Sequence, residues 1–599
     1  MQFPLPLTSM TSPFCDPVVP EQLAGWPAHY DMRADGLYVS EGDTTRWIAQ
    51  RFSVLGQCAD EQGRTQGLVL EFADSQQRHQ RLVVAHADLF GAGFKVARQL
   101  LDQGFVLNPD RQSWPLLQLL LRALRPARAC LLVDQTGWQH GAFVLPDQVI
   151  GTPSRPLIYH GLREPQGLGA AAELADWQTQ VSALCQGNSR LVFSLSLAFA
   201  APLLALAQAQ TDSTVFNLVG PSSTGKTTVL HAAASVSGPG THLQSWQVSG
   251  PGLEAAALAH NHRLLILDEF AQIPASQAKA LIYHLTNGRG ALRGRSDGSL
   301  RPLRHWQTLV LSAGEAGLAL HSGQQAALAA GQLVRVIDLP AEVPGGDGVF
   351  EDLHGFSDGG ALARALAHAS RHFYGTAFPA YLERLCCSDQ AALAEELASG
   401  EGDFFTQSLP AGAKAQLQRV ARRFFLVGFA GELASRLDIS GWPPGEALQA
   451  AHTLFAAWLQ SVQGLHSLDA HLVLEQVRDF LHREQARLLE LPQNPYQRAE
   501  IREPARCIGY VRHRDGHGHH FIKARVFTKE VLRGLDVSTA IRILTEAGIL
   551  QGNPHTNQPY QNQRLPLGNS ASQRVYHLCD VFSSPCEVIS EQAPGALLG

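Results

Sequence analysis

Apolar and polar positions change rhythm along the chain in a way that separates four regions. Up to residue 165, short apolar runs at 68–72, 81–85, 129–134 and 142–146 read as strands, and a helical period covers 114–124. No catalytic constellation lies there, so residues 1–165 are expected to form an α+β accessory domain. The pattern turns helical over 170–207. An apolar strand at 215–219 then enters a glycine-rich loop and a helix over 226–234, and further strands follow at 263–267, 306–311 and 333–339. Alternating strands and helices predict an α/β fold with a mostly parallel sheet over 166–345. A glycine-rich break from Pro344 to Gly360 closes it. From residue 361 to about 463 the pattern is nearly all helix, with apolar spacing in 416–436 and 445–462, and 346–465 are expected to form a helical lid. In 466–599, a helix over 472–489, another over 537–547 and strand-like pieces to 575–578 predict a winged-helix-like domain.

Composition narrows this picture slightly. The chain has 599 residues, 45% hydrophobic and 17% charged, which suits several packed domains and excludes a fibrous or disordered chain. A net charge of −6 excludes a uniformly basic nucleic-acid binder, yet a local basic lining remains open. The nine cysteines form no C-x-x-C pair, which points to reduced thiols and a cytoplasmic setting. Residues 191–207, LVFSLSLAFAAPLLALA, imitate a membrane span. Their shortness, Pro202 and the adjoining strand predict a helix buried against a sheet, with no membrane partner.

The strongest chemical signal is Gly220-Pro221-Ser222-Ser223-Thr224-Gly225-Lys226-Thr227-Thr228, placed after an apolar strand and before a helix. This is the G-x-x-x-x-G-K-T phosphate loop. Gly220 and Gly225 allow the tight turn that aims backbone N–H groups at phosphates, and the helix adds its positive end. Lys226 is expected on the β- and γ-phosphates of ATP, and Thr227 on Mg²⁺. About forty residues on, the run 263–267 ends in Asp268-Glu269. Asp268 is expected to hold the metal shell and Glu269 to polarise the attacking water, which makes the predicted reaction hydrolysis of ATP by water.

These two motifs resemble those of AAA+ P-loop ATPases, and the resemblance implies further site residues. Ser312, expected at the tip of the next strand, takes the place of sensor 1. Arg335, before the last strand, resembles the finger inserted into a neighbouring subunit's site. Arg419 and Arg422 are the candidates for a lid arginine closing over the nucleotide. Between the central strands, Arg289, Arg293, Arg295, Arg301 and Arg304 crowd a glycine-punctuated stretch with a turn at 296–298. A hairpin lining a pore and gripping DNA phosphates is expected from Arg289, Arg293, Arg295 and Arg301.

Across most of its length the chain resembles the family filed as domain of unknown function 927. Its relatives include the Cch-type helicases of staphylococcal chromosome cassettes, which are similar to MCM helicases. The resemblance runs through Thr136-Gly-Trp138, 143–146, 220–228, 265–269, Asn287-Gly288, 312–315, 331–339 and Ala430-Gly-Glu-Leu-Ala434. It implies an AAA+ motor assembled as a homo-hexamer and unwinding single-stranded or forked DNA for a mobile element or prophage. No primase pattern is visible, so a primase or polymerase would be a separate partner. The competing reading is a non-helicase AAA+ ATPase that remodels protein or acts as a switch. A last stretch, from Arg512 to His520, is rich in histidine. Without cysteine partners nearby it reads as a hairpin tip, a DNA-contacting wing, and not as a metal site.

Overall fold

The computed structural model describes residues 25–91, 94–161, 169–207, 213–241, 243–270, 275–294, 303–315, 317, 335–410, 412–413, 415–492, 506–514, 517–553, 558–564 and 572–579. The N-terminal part opens with an antiparallel meander, Tyr30–Arg33, Gly36–Glu41 and Thr44–Ala49. A mixed five-stranded sheet follows, in the order Leu157–Tyr159, Ala129–Val133, Ser53–Ala59, Gly67–Ala73, His79–Ala85. Leu37, Phe72 and Leu82 pack there against Leu117 and Leu120 of the helix Ser113–Ala123.

The short antiparallel strands Gly137–Gln139, Ala142–Val144 and Val149–Gly151 leave that core for the central one, to which Phe143, Leu145 and Ile150 belong. Thr136 and Trp138 make the joint. Thr136 Oγ1 donates to the Ala259 carbonyl at 2.9 Å, and Asn261 Nδ2 returns a bond to the Thr136 carbonyl at 2.8 Å. Trp138 Nε1 donates to the Pro202 carbonyl at 3.0 Å. Between them Gly137 sits at φ +90°, where a Cβ would lie 2.6 Å from His262 Nδ1.

The central sheet has five strands, all parallel, in the order Gln244–Ser245, Leu264–Asp268, Leu309–Gly314, Thr214–Val219, Val336–Pro340. Parallel strands buried on both faces need near-continuous apolar sequence. Here alternate residues serve different layers: Phe216, Leu218, Ile266, Leu311 and Ile337 face one core, while Val215, Leu265, Leu267, Val310 and Val336 face another around Trp246 and Leu253.

The helix Ser189–Leu203 lies in the first of these cores, and its residues from Arg190 onward are buried. No described helix is long and apolar enough to cross a membrane. The helices that follow the sheet share this same core. Phe424, in Ala415–Arg436, has its ring 5.7 Å from that of Phe216 in the sheet and 5.4 Å from that of Phe193. Packing is therefore continuous across residue 345, where a boundary between sheet and lid was expected.

The helix Glu446–Arg483 also differs from expectation, which put two helices over its length. At 38 residues it extends about 57 Å. Its first turns, with Ala447, Leu454 and Trp458, belong to the central core, and Val473, Val477 and Leu481 belong to a separate C-terminal one. The C-terminal sheet runs Leu488–Glu490, Gly509–Arg514, His517–Lys523, Ser572–Cys579, Leu550–Gln551, with Gln561–Arg564 paired to Ser572–Cys579. Helical turns at 524–531 and the helix Val537–Glu546 pack on it.

Candidate nucleotide site

The phosphate loop and the carboxylate pair lie at the same edge of the sheet. Thr214–Val219 and Leu264–Asp268 flank Leu309–Gly314 on either side, all three pointing the same way. Val219 is level with Gly314, and Leu267 with Ser312. One strand thus separates the two motifs, about 10 Å between strand axes. A triphosphate and its metal ion span such a gap.

Each backbone feature of the loop has a steric reason. Gly225 caps the helix Lys226–Ser235 at φ +96°, a left-handed conformation, and a Cβ there would lie 2.8 Å from Val349 Cγ2. Gly348, also left-handed at φ +64°, lets its backbone press against the Thr224 carbonyl, which accepts a bond from Val349 N at 3.0 Å. The segment after the last strand therefore braces the loop. It is held in turn by the buried Arg190, whose guanidinium donates to the carbonyls of Pro340 and Glu342 and pairs with Glu351 at 3.2 Å. Nothing in the glycine-rich text of 344–348 distinguished such a brace from a plain linker.

Lys226 folds back on its own loop. Its Nζ donates to the carbonyls of Gly220 at 2.8 Å and Pro221 at 2.5 Å. Phosphate oxygens would replace these carbonyls around the ammonium. Ser222 Oγ donates to Glu315 at the end of the neighbouring strand. Asp268 is half-buried at its strand end, and Oδ1 accepts from Glu269 N at 2.8 Å. Glu269 adopts φ 64°, uncommon for a residue with a side chain, and is exposed. The oxygen-only donor set of Thr227, which is exposed, and Asp268, which is half-buried, fits Mg²⁺. Further along the phosphate helix, His231 is held below the usual histidine range by burial first and by Arg371 second, while Asp268 opposes the shift. Arg371 belongs to the helix Gly359–His372, which packs on the phosphate helix, and no motif in the sequence marks it.

Several expected residues lie elsewhere. Ser312 is not at its strand's tip, because the strand runs on to Gly314. Its side chain is fully buried, and Oγ accepts from Trp246 Nε1 at 2.9 Å. Glu315 stands at the edge in its place. Arg422 is held by Glu401 of the preceding helix, with Nε at 2.8 and 2.9 Å from the two carboxylate oxygens. Arg419 is exposed on the same helix. Arg335 precedes Val336, which pairs with Val215 at the start of the phosphate-loop strand. Strand polarity puts it at the edge of the sheet opposite its own phosphate loop.

The arginine-rich stretch begins as a hairpin. Arg289 and His305 form an antiparallel bridge, and Gly290 N donates to the Arg304 carbonyl at 2.9 Å. Arg289 is exposed. Arg293, expected to meet phosphates, instead pairs with the buried Glu254 at 2.7 Å. Gly290 permits this approach, since a Cβ there would lie 2.5 Å from the same carboxylate. Arg295, Arg301 and the turn at 296–298 lie outside the described residues.

Comparison with known proteins adds the following. The model of the family described as Domain of unknown function (DUF927) matches residues 26–305. A solved structure titled "SCCmec type IV Cch - active helicase" is similar over 92% of this chain and 97% of its own, with a TM-score of 0.66 and 15% identity. At that identity the likeness establishes a shared mixed α/β fold. A second, "The A form apo structure of NrS-1 C terminal region-CTR", covers 63% of this chain and 87% of its own at 9% identity, and its TM-score of 0.26 supports nothing further. No curated protein matches.

Proposed function

Starting from a chain that carries the DUF927 region over residues 26–305, we propose that it is an AAA+ ATPase that hydrolyses ATP with Mg²⁺ to translocate on and unwind DNA. The observation that carries this reading is the sheet edge itself, with Lys226 and the Asp268–Glu269 pair one strand apart. Lys226 and the loop amides neutralise the phosphates, Thr227 and Asp268 hold the metal, and Glu269 takes the proton of the attacking water. The metal supplies charge neutralisation on the leaving phosphate.

Activity in a ring, proposed here as a homo-hexamer, gives Arg335 its role: a finger on the neighbour's γ-phosphate, which its position at the far edge of its own sheet supports. The 346–465 helices then act as a body fused to the motor, and residues 466–599 as a winged-helix-like DNA contact. For the latter, the support is a pair of helical segments at 524–531 and 537–546 followed by the paired strands Gln561–Arg564 and Ser572–Cys579. The whole-length likeness to a structure titled as an active helicase favours DNA as the partner.

A second reading, a non-helicase ATPase that remodels protein, draws support from Arg293, whose pairing with Glu254 removes one arginine from the DNA-gripping set. One experiment separates the two: ATPase rate with and without single-stranded DNA, together with strand displacement from a fork. The helicase reading expects stimulation and displacement, both lost in Glu269→Gln. Hydrolysis indifferent to DNA, with no displacement, favours the remodeller.

A further inference from the structure

Away from the phosphate-loop edge, strand register in the C-terminal sheet assembles a cluster that linear spacing hides. The strands His517–Lys523 and Ser572–Cys579 run antiparallel with His519 opposite Cys579 and Phe521 opposite His577. Residues 519, 521, 577 and 579 therefore share one face. His519 Nδ1 lies 3.0 Å from His577 Nε2, and Cys579 Sγ lies 3.1 Å from each of these nitrogens. Phe521 stacks on the His577 ring with centroids 4.4 Å apart and planes at 17°, which sets the plane of that imidazole. Cys579 is buried and both imidazoles are partly so.

Hydrogen bonding alone does not satisfy this triangle. A ring nitrogen carries either a proton or a lone pair, and the thiol has a single proton. Two protonated nitrogens would repel across their shared edge, so three edges have at most two protons between them. One cation receiving a lone pair from each atom satisfies all three at once. The three atoms stand about 1.8 Å from their common centre. An ion at zinc–nitrogen and zinc–sulfur distances of about 2.0 and 2.3 Å would therefore sit about 1–1.5 Å out of their plane, with a fourth position open to water.

We propose that His519, His577 and Cys579 form a binding site for a zinc-class divalent cation, which ties the strand Ser572–Cys579 to the hairpin at 509–523. Two imidazoles and a thiol suit zinc and exclude the oxygen-seeking Mg²⁺ of the phosphate loop. On binding, the Cys579 S–H proton passes to solvent and the thiolate forms the metal–sulfur bond. The site is independent of the nucleotide reading and stands or falls without it.

The test uses the full chain, free of affinity tags, stripped with chelator and reloaded with Co²⁺ as a spectroscopic stand-in. One Co²⁺ per chain is expected, with the visible bands of a tetrahedral site and a thiolate-to-cobalt charge-transfer band, both bleached by Zn²⁺. Cys579→Ser should remove the charge-transfer band and weaken binding by about tenfold or more. Cys387→Ser, at an exposed thiol elsewhere, should leave the band intact. Zinc-edge X-ray absorption of the unsubstituted chain, which needs no variant to fold, should show a mixed nitrogen and sulfur shell. Failure of the unsubstituted chain to take up stoichiometric metal, a sulfur-free shell, or a charge-transfer band that survives Cys579→Ser would each overturn the site.

Discussion

Two glycine–glutamate combinations, one at the nucleotide edge and one in the helices behind it, use the same residue types to opposite ends. At the edge, Gly225 is required for its left-handed φ of +96°, and Glu269 is exposed, with no hydrogen bond or ion pair to its carboxylate among the described residues. In the helix Ala415–Arg436, Gly431 is required for space, because a Cβ would run into Ser196 Oγ and Ala447 Cβ on two crossing helices. Glu432, beside it, is saturated: its carboxylate accepts from Gly445 N and Ala447 N at 2.8 Å and from Leu448 N at 3.1 Å. It thereby caps the long helix Glu446–Arg483 at its positive end. A carboxylate left exposed is available for chemistry, whereas one fully engaged serves architecture.

Substitutions should sharpen that contrast. The largest effect is expected from Glu269→Gln, which keeps the shape and removes the base. Steady-state phosphate release should fall by about 10²–10⁴-fold while nucleotide affinity, read by titration, holds. Unchanged turnover would move the carboxylate out of the chemistry. Gly431→Val should act on stability, because its added carbons meet two helices in a close-packed crossing. A loss of about 3 kcal/mol is expected in urea unfolding, and an unchanged midpoint would mean the helices can slide apart. Glu432→Gln keeps one acceptor oxygen but loses the charge at the helix end, costing about 1 kcal/mol in the same measurement.

Legibility followed the range of the interactions. Local signals read well: the strands expected at 68–72 and 129–134 are Gly67–Ala73 and Ala129–Val133, the helix over 114–124 is Ser113–Ala123, and the phosphate loop follows its strand as its spacing demanded. The two nucleotide motifs lie at one edge because both end parallel strands, which the α/β pattern already implied. Signals that depend on strand register or side-chain pairing did not read. The place of Ser312 turned on two further strand residues, and nothing in sequence ties Trp246 to it. Arg422 and Arg293 read as available cations because their partners, Glu401 and Glu254, stand 21 and 39 residues away. His519 and Cys579 are opposite each other only through a strand pairing across 60 positions, so a histidine-rich stretch looked partnerless. The segment Ala430-Gly-Glu-Leu-Ala434 holds a close helix crossing at Gly431 and a helix cap at Glu432, and both depend on residues distant in the chain.

The same test of availability divides the arginine hairpin, with smaller effects. Arg289 is exposed, and Arg293 pairs at 2.7 Å with Glu254, whose side chain is 7% exposed. Removing Arg293 leaves a nearly buried carboxylate whose other basic neighbour among the described residues is the imidazole of His284, 3.8 Å away. The Arg293 side chain is 40% exposed, so solvent screens the pair and the loss in Arg293→Ala should be about 1 kcal/mol. Arg289→Ala should cost almost no stability. If the hairpin grips phosphates, it should instead lower the slope of log affinity against log salt for single-stranded DNA by about one. The two variants thus separate in two measurements, unfolding midpoint and salt slope. Equal loss of slope in both would show that Arg293 leaves Glu254 when DNA binds, and that this ion pair is a latch on the hairpin as well as an anchor for its base.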